Sequence, residues 1–281
     1  MREPKPPILR APAPLGHVEP HAGMLSAPPE SQLLYKMMTV ENLLRSIEGS
    51  YLHFNRVDHY VDFPGADLND GAQLPLDREG NATARFAKAS DFSAADYYDR
   101  SRARTYACCF SMENSDFIWT QYANGSAKGK VCVVLEFGYL RAMLNDTLQS
   151  EHASLLYNGA KCRQIFSLNY GIVEYIEWDR CQANTAHLPN PLKYTYLKGW
   201  GFSAEKELRI SLSALGIGHF AMNDGSMMEF PPSLQMTFDF RTAIANGTIR
   251  QILSSPNCDS AFLHAELDKL GISPADGSDP P

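Results

Sequence analysis

Apolar and polar positions along the chain mark short elements of both kinds. Leu33 to Met38 is an apolar run of strand length, and Thr39 follows as a helix N-cap. Leu43, Leu44 and Ile47 then share one helical face, with Gly49 as the stop. Tyr51-Leu52-His53-Phe54 reads as a second strand. Thr105 to Ser111 is rich in buried-type residues and runs into a polar Met-Glu-Asn-Ser stretch, the pattern of a central strand reaching a loop. Phe117, Ile118, Trp119, Tyr122 and Ala123 recur at helical spacing after Asp116. Lys130 to Phe137 is the clearest strand, and Leu140, Met143, Leu144 and Leu148 form the apolar stripe of a helix after it. Further strands are predicted around 163–168, 171–178, 207–212, 218–222, 234–240 and 249–253, with a last helix over 259–270.

Strands outnumber helices and rarely alternate strictly with them, which predicts an α+β fold: a mixed or antiparallel, split β-sheet with flanking helices. No repeat and no second linker interrupts residues 31–272, so that span is read as one domain with an insertion or lid over 62–104. Residues 1–30 contain eight prolines and few large apolar side chains. They are expected to stay outside the fold as a disordered leader, and 273–281 as a similar tail.

Composition narrows the classes. The 281 residues are 44% apolar, 20% charged and 11% aromatic, which excludes collagen-like, coiled-coil and wholly disordered chains. A formal charge of −7 argues against a chain-wide basic surface for nucleic acid or an electrostatic membrane anchor. No stretch of 18 apolar residues occurs and the start lacks a cationic-then-apolar signal, so no membrane partner and a cytoplasmic location are expected. The six cysteines include no C-x-x-C pair, and free thiols are expected. There is no phosphate-binding G-x-x-x-x-G-K-[ST], no G-x-S-x-G elbow and no H-E-x-x-H. The eight histidines never fall at ligand spacing with cysteine or carboxylate, and no metal is predicted.

The most informative segment is Ser203-Ala-Glu205-Lys-Glu207-Leu208-Arg209-Ile210-Ser-Leu212. Strand alternation would put Glu205, Glu207 and Arg209 on one face and Leu208, Ile210 and Leu212 in the core. Glu and Lys are poor strand formers, so two carboxylates beside an arginine point to a site for a charged reacting centre. The competing reading is an edge strand carrying charges against aggregation.

Several of these segments together resemble a large uncharacterised bacterial family of unknown function. They are Leu34-Tyr35-Lys36, the Glu41-Asn42-Leu-Leu helix, Tyr51-Leu-x-Phe54, Cys109-Phe110-Ser111, Trp119-Thr-Gln-Tyr122-Ala123, Gly129 to Phe137 and Glu205-Lys-Glu207-Leu-Arg209-Ile210. The likeness spans about residues 33–212. Where that family has Asp-Pro-Phe-Glu, this chain has Asp62-Phe63-Pro64-Gly65.

More distantly, the layout is similar to toxin-type ADP-ribosyltransferases. That resemblance implies an enzyme that cleaves NAD and transfers ADP-ribose to a nucleic acid or protein, as a bacterial toxin or phage-defence effector whose partners would include an antitoxin. Carried over by position, Lys36 matches the basic residue of the first strand, Ser111 the polar residue of the second, and Glu207 the essential late-strand glutamate with Glu205 as its partner. Glu207 would hydrogen-bond the ribose hydroxyl as positive charge grows, and Glu205 would orient the acceptor or act as its base. Lys36, Asn42, Arg56 and Arg209 are the expected polar and cationic cofactor contacts, with Ser111 beside them. Tyr122 or Trp119 is the expected stacking face. Two other classes compete: a non-catalytic sensor or interaction module of a defence system, and a metal-dependent hydrolase or nuclease using Glu205 and Glu207.

Overall fold

The computed structural model describes residues 18–21, 23–62, 65–86, 89–150, 154–182, 190–215 and 218–272. The expectations for residues 1–17, for Phe63-Pro64 and for the 273–281 tail lie outside the described residues. Among the described residues ten strands form one sheet. They are β1 (Leu33–Thr39), β2 (Tyr51–Arg56), β5 (Thr105–Ser111), β6 (Lys130–Glu136), β7 (Leu155–Tyr157), β8 (Ala160–Lys161), β9 (Phe166–Ile172), β12 (Glu207–Ala214), β15 (Ser233–Thr237) and β16 (Ile249–Ser254). Small pairs join β3 (Arg85–Phe86) to β4 (Ala89–Ser93), β10 (Glu174–Ile176) to β11 (Leu197–Gly199), and β13 (Phe220–Ala221) to β14 (Met227–Met228). The helices are α1 (Val40–Glu48), α2 (Pro75–Thr83), α3 (Ala94–Arg102), α4 (Asp116–Gln121), α5 (Phe137–Gln149), α6 (Leu192–Thr195), α7 (Phe240–Ala245) and α8 (Ser260–Lys269). The fold is α+β, with a mostly antiparallel sheet and flanking helices. Of the pairs, β10 with β11 is parallel.

The main sheet divides at β5. One edge of β5 pairs with β12 along its whole length, from Glu207↔Ser111 to Ser213↔Thr105. Its other edge meets β1 only at Tyr35↔Ser111 and β2 only at Asn55↔Ala107 and Arg56↔Tyr106. Among the described residues, no strand lies beside the edge between those contacts, around Cys109.

Local chemistry explains the elements around this division. Thr39 caps α1 by accepting from the Asn42 amide at 3.2 Å. The chain leaves α1 through Ser50, which is left-handed at φ 51°. Gly49 serves by lacking a side chain, since a Cβ there would lie 2.6 Å from the Tyr51 ring.

Alternation then sorts the two faces. Tyr106, Cys108 and Phe110 of β5 and Leu208, Ile210 and Leu212 of β12 face a core completed by Val40, Leu43 and Ile47 of α1, Leu140 and Leu144 of α5, and Leu263 and Leu267 of α8. The opposite face of β5 and β12 carries Cys109, Ser111, Glu207, Arg209 and Ser211, and it is covered as well. Tyr60, the 65–74 segment, Tyr196, β11 and the 3-10 turn Trp200–Glu205 lie over it.

Two expectations are corrected. Residues 18–21 and 23–30 are part of the fold: Val18 is buried, its amide donates to Asn145 Oδ1 at 2.8 Å, and Met24 and Leu25 pack on Leu192 and Tyr196. The few apolar residues of that proline-rich stretch suffice to dock it, and the Ser26 carbonyl accepts from the Ile172 amide at the open edge of β9. In addition, β12 begins at Glu207, so Glu205 lies in the preceding 3-10 turn. The described residues of 62–104 form an excursion between β2 and β5, with a small core of Leu74 and Tyr98 against Tyr194 and Leu197. No helix among the described residues is long and apolar enough to cross a membrane.

Candidate functional site

The charged segment forms a buried cluster, although strand alternation alone does not assemble it. Glu207 and Arg209 share the covered face of β12, as their two-residue spacing requires. Glu205 reaches them because Lys206, between the two glutamates, adopts the left-handed conformation at φ 46° and ψ 51°. A non-glycine residue held there costs of order 1–3 kcal/mol and persists where its surroundings enforce it. Here the Lys206 carbonyl accepts from the Met112 amide at 2.8 Å, and Ser111 Oγ donates to the Glu205 carbonyl at 2.8 Å.

The cluster is closed by two cations. Arg209, fully buried, donates from Nε to Glu207 Oε1 at 2.7 Å and from its terminal nitrogens to both oxygens of Asp70, at 2.5 and 2.7 Å. Its Nη1 also donates to the Thr195 carbonyl at 2.7 Å. Lys198, on β11, donates to Glu205 Oε2 at 2.5 Å and lies 3.3 Å from Glu207 Oε2. Tyr122, at the end of α4, donates to the other oxygen of Glu205. The Glu207 amide donates to the Tyr175 hydroxyl at 2.9 Å. Tyr60 lies beside the Cys109 thiol, and its ring is 5.9 Å from the Arg209 guanidinium carbon.

The two glutamates are driven to opposite protonation states. Burial, reinforced by the charge of Glu207, raises Glu205 from 4.5 to about 7. Burial would raise Glu207 too, but Arg209 and Lys198 outweigh it and hold that carboxyl well below the usual range. Lys198 remains charged because Glu207 and Asp70 offset its desolvation. Charge counting gives the same result: three carboxyls face two cations, so the buried set is neutral when Glu205 carries a proton.

Of the residues expected from sequence, Glu205, Glu207, Arg209, Tyr122 and Ser111 come together. Lys36, Asn42 and Arg56 do not. Tyr35, Ser111 and Glu207 are directly opposed across three strands, so all three point to one face and Lys36, one residue on, points to the other. Lys36 Nζ donates to the Cys109 carbonyl at 3.3 Å, where β5 has no strand beside it, and lies 5.1 Å from the Phe110 ring centroid. Its role is to satisfy the backbone where the sheet divides. Asn42 sits at the exposed start of α1 and accepts from Arg45 at 2.5 Å. Arg56 pairs with Asp58 at 2.7 Å and donates to the Phe230 carbonyl, which ties β2 to the 230–232 loop. Trp119 packs against the cluster of Cys132, Val134 and Leu253, and its indole donates to Asn114 at 2.7 Å.

Sequence reading missed Lys198, Asp70 and Tyr175. Lys198 had a signal: a lone cation in the apolar run Tyr194 to Trp200, a few residues ahead of the two glutamates. Asp70 had none, since Leu-Asn-Asp-Gly reads as an exposed turn. All six cysteines are free thiols, as expected. No family model, curated protein or solved structure matches this chain.

Proposed function

We propose that Glu205 is the reacting carboxyl of an enzyme that breaks an N-glycosidic bond, with NAD as substrate and a nucleic acid or protein as acceptor. The observation that carries this reading is the separation of the two carboxyls around one ammonium. Paired carboxyls pushed to opposite protonation states are the arrangement from which acid–base roles are read, and a group near 7 is suited to exchange protons at neutral pH. On this reading the reacting role falls to Glu205 and not to Glu207. Arg209 grips both oxygens of Glu207 and holds it ionised, so it is read as a positioning residue, whereas Glu205 meets only Lys198 and the Tyr122 hydroxyl.

In the proposed step the bond between the ribose carbon and the nicotinamide nitrogen breaks, and its electron pair leaves on nitrogen. A lone pair of the acceptor forms the new bond to that carbon, and the acceptor's proton passes to ionised Glu205. Before it takes that proton, while Glu205 is ionised, the buried set carries one net negative charge, which favours positive charge on the ribose. The choice of NAD, of an ADP-ribosyltransferase-like fold and of a toxin or defence-effector setting is supported by the sequence resemblance. Incubation with labelled NAD and cell extract tests the reading. Label should pass to a macromolecule, and Glu205→Gln should lower the rate by about 100-fold or more; equal labelling by that variant overturns the assignment.

A second reading is favoured by one specific observation: every charged group of the cluster is paired and Arg209 is fully buried. On that reading the chain is a non-catalytic interaction module and the cluster fixes its shape. It predicts no loss of NAD and no labelled product. Lys198 stands between the two glutamates, where a divalent ion of a hydrolase or nuclease would have to bind.

A further inference from the structure

Asp70 comes from the excursion between β2 and β5, far from the cluster in sequence, and is 2% exposed. Its carboxylate grips Arg209 with both oxygens and lies 3.8 Å from Lys198 Nζ. Hydrogen bonds hold the rest of its loop. Arg102 donates to the carbonyls of Asp70 and Leu68 at 2.7 and 2.9 Å, and the Gly199 amide donates to Asp67 at 3.4 Å.

The groups facing Glu205 come from every element around it. Lys198 of β11 and Tyr122 at the end of α4 donate to it, Glu207 of β12 and Tyr175 of β10 interact with its charge, and Asp70 of the loop stands 3.8 Å from Lys198, with Arg209 between Asp70 and Glu207. Without Asp70, two cations would face two carboxyls, a set that is neutral with both glutamates ionised. With Asp70 seated, the same two cations face three carboxyls, and one of them must stay protonated for the buried set to be neutral. Glu207 and Asp70 are each fixed by Arg209, which leaves Glu205 to hold the proton.

We infer that Asp70 is a positioning residue that keeps Glu205 neutral, so that seating of the 65–74 loop and protonation of Glu205 form one linked equilibrium. By reciprocity, whatever ionises Glu205 loosens the loop by the same factor. Only the catalytic consequence rests on the reading of Glu205 as the reacting group; the linkage itself does not need NAD.

The test follows the Glu205 carboxyl by NMR in protein labelled with carboxyl-13C glutamate, its resonance identified by loss in Glu205→Gln. Asp70→Asn should lower the Glu205 midpoint by at least about one pH unit. Asp67→Asn, which removes a carboxylate that makes no ion pair with the cluster, should leave it in place. An unchanged midpoint in Asp70→Asn overturns the proposal. Should that variant fail to fold, hydrogen exchange of the wild-type chain decides. Protection of the Asp70 and Ala72 amides, bonded to the Asp67 and Asn69 carbonyls, should fall between pH 6 and 8 after correction for intrinsic rates, while β6 stays protected. Equal protection across that range overturns it. Neither measurement reads NAD turnover, so a failed transfer assay and a failed linkage remain separate results.

Discussion

The two faces of β12 divide its eight residues between opposite uses. Leu208, Ile210 and Leu212 bury hydrocarbon against α1, α5 and α8, where any apolar residue of the right volume keeps most of the stability. Glu207, Arg209 and Ser211 bury charge and hydroxyl at equal depth, where no partner is interchangeable. A hydrophobic face tolerates substitution by degrees. An ionic face fails when one member leaves, because the remaining charges are stranded without water. The difference teaches that this strand is specified by its sparse face, and the largest effects should come from there.

Arg209→Leu is the strongest test. It leaves Asp70 and Glu207 without their main counter-charge and should cost about 3–5 kcal/mol of stability in urea unfolding. Ile210→Val, one residue away on the hydrocarbon face, should cost only about 0.5–1.5 kcal/mol. Equal losses would erase the contrast between the two faces.

Glu205→Gln should have a smaller effect whose size depends on pH. The folded value of Glu205 lies above its unfolded 4.5. Its contribution to stability is therefore complete below about 4.5 and is lost as pH rises through about 7. Glu207 acts oppositely, since its folded value is depressed: its share is present above 4.5 and is lost as pH falls further into acid. The urea midpoint of Glu205→Gln should therefore improve relative to the wild type as pH rises from 5.5 to 8. A constant gap across that range would place the Glu205 proton elsewhere.

Much of this contrast was legible in the sequence. The period-two pattern of 207–212 fixed which residues share a face, and Thr39, β6 and α5 fall where capping and apolar spacing put them. Convergence was not legible. The left-handed turn at Lys206 that brings Glu205 in depends on contacts to Met112 and Ser111 from another strand. Asp70 and Lys198 approach through the excursion between β2 and β5 and a short parallel pair whose docking no local pattern encodes. Lys36 misled because position along β1 was visible, whereas which face it used depended on the Tyr35↔Ser111 register.

The mildest test concerns the outer edge of the ionic face. Tyr122 is 38% exposed, yet its hydroxyl reaches into the cluster to donate to Glu205. Its chain position is pinned from behind, because Lys130 Nζ donates to the Tyr122 carbonyl at 3.0 Å and to the Trp119 carbonyl at 2.5 Å. Tyr122→Phe keeps the ring and its edge contact with Phe117, so it removes only the hydroxyl. The stability cost should be about 1 kcal/mol. Because that hydrogen bond favours the ionised form of Glu205, its loss should move the Glu205 midpoint upward, opposite in sign to the shift expected from Asp70→Asn. Movement in one direction for both variants would show that Glu205 responds to general loosening of the cluster, and the charge-by-charge account of this face would fall.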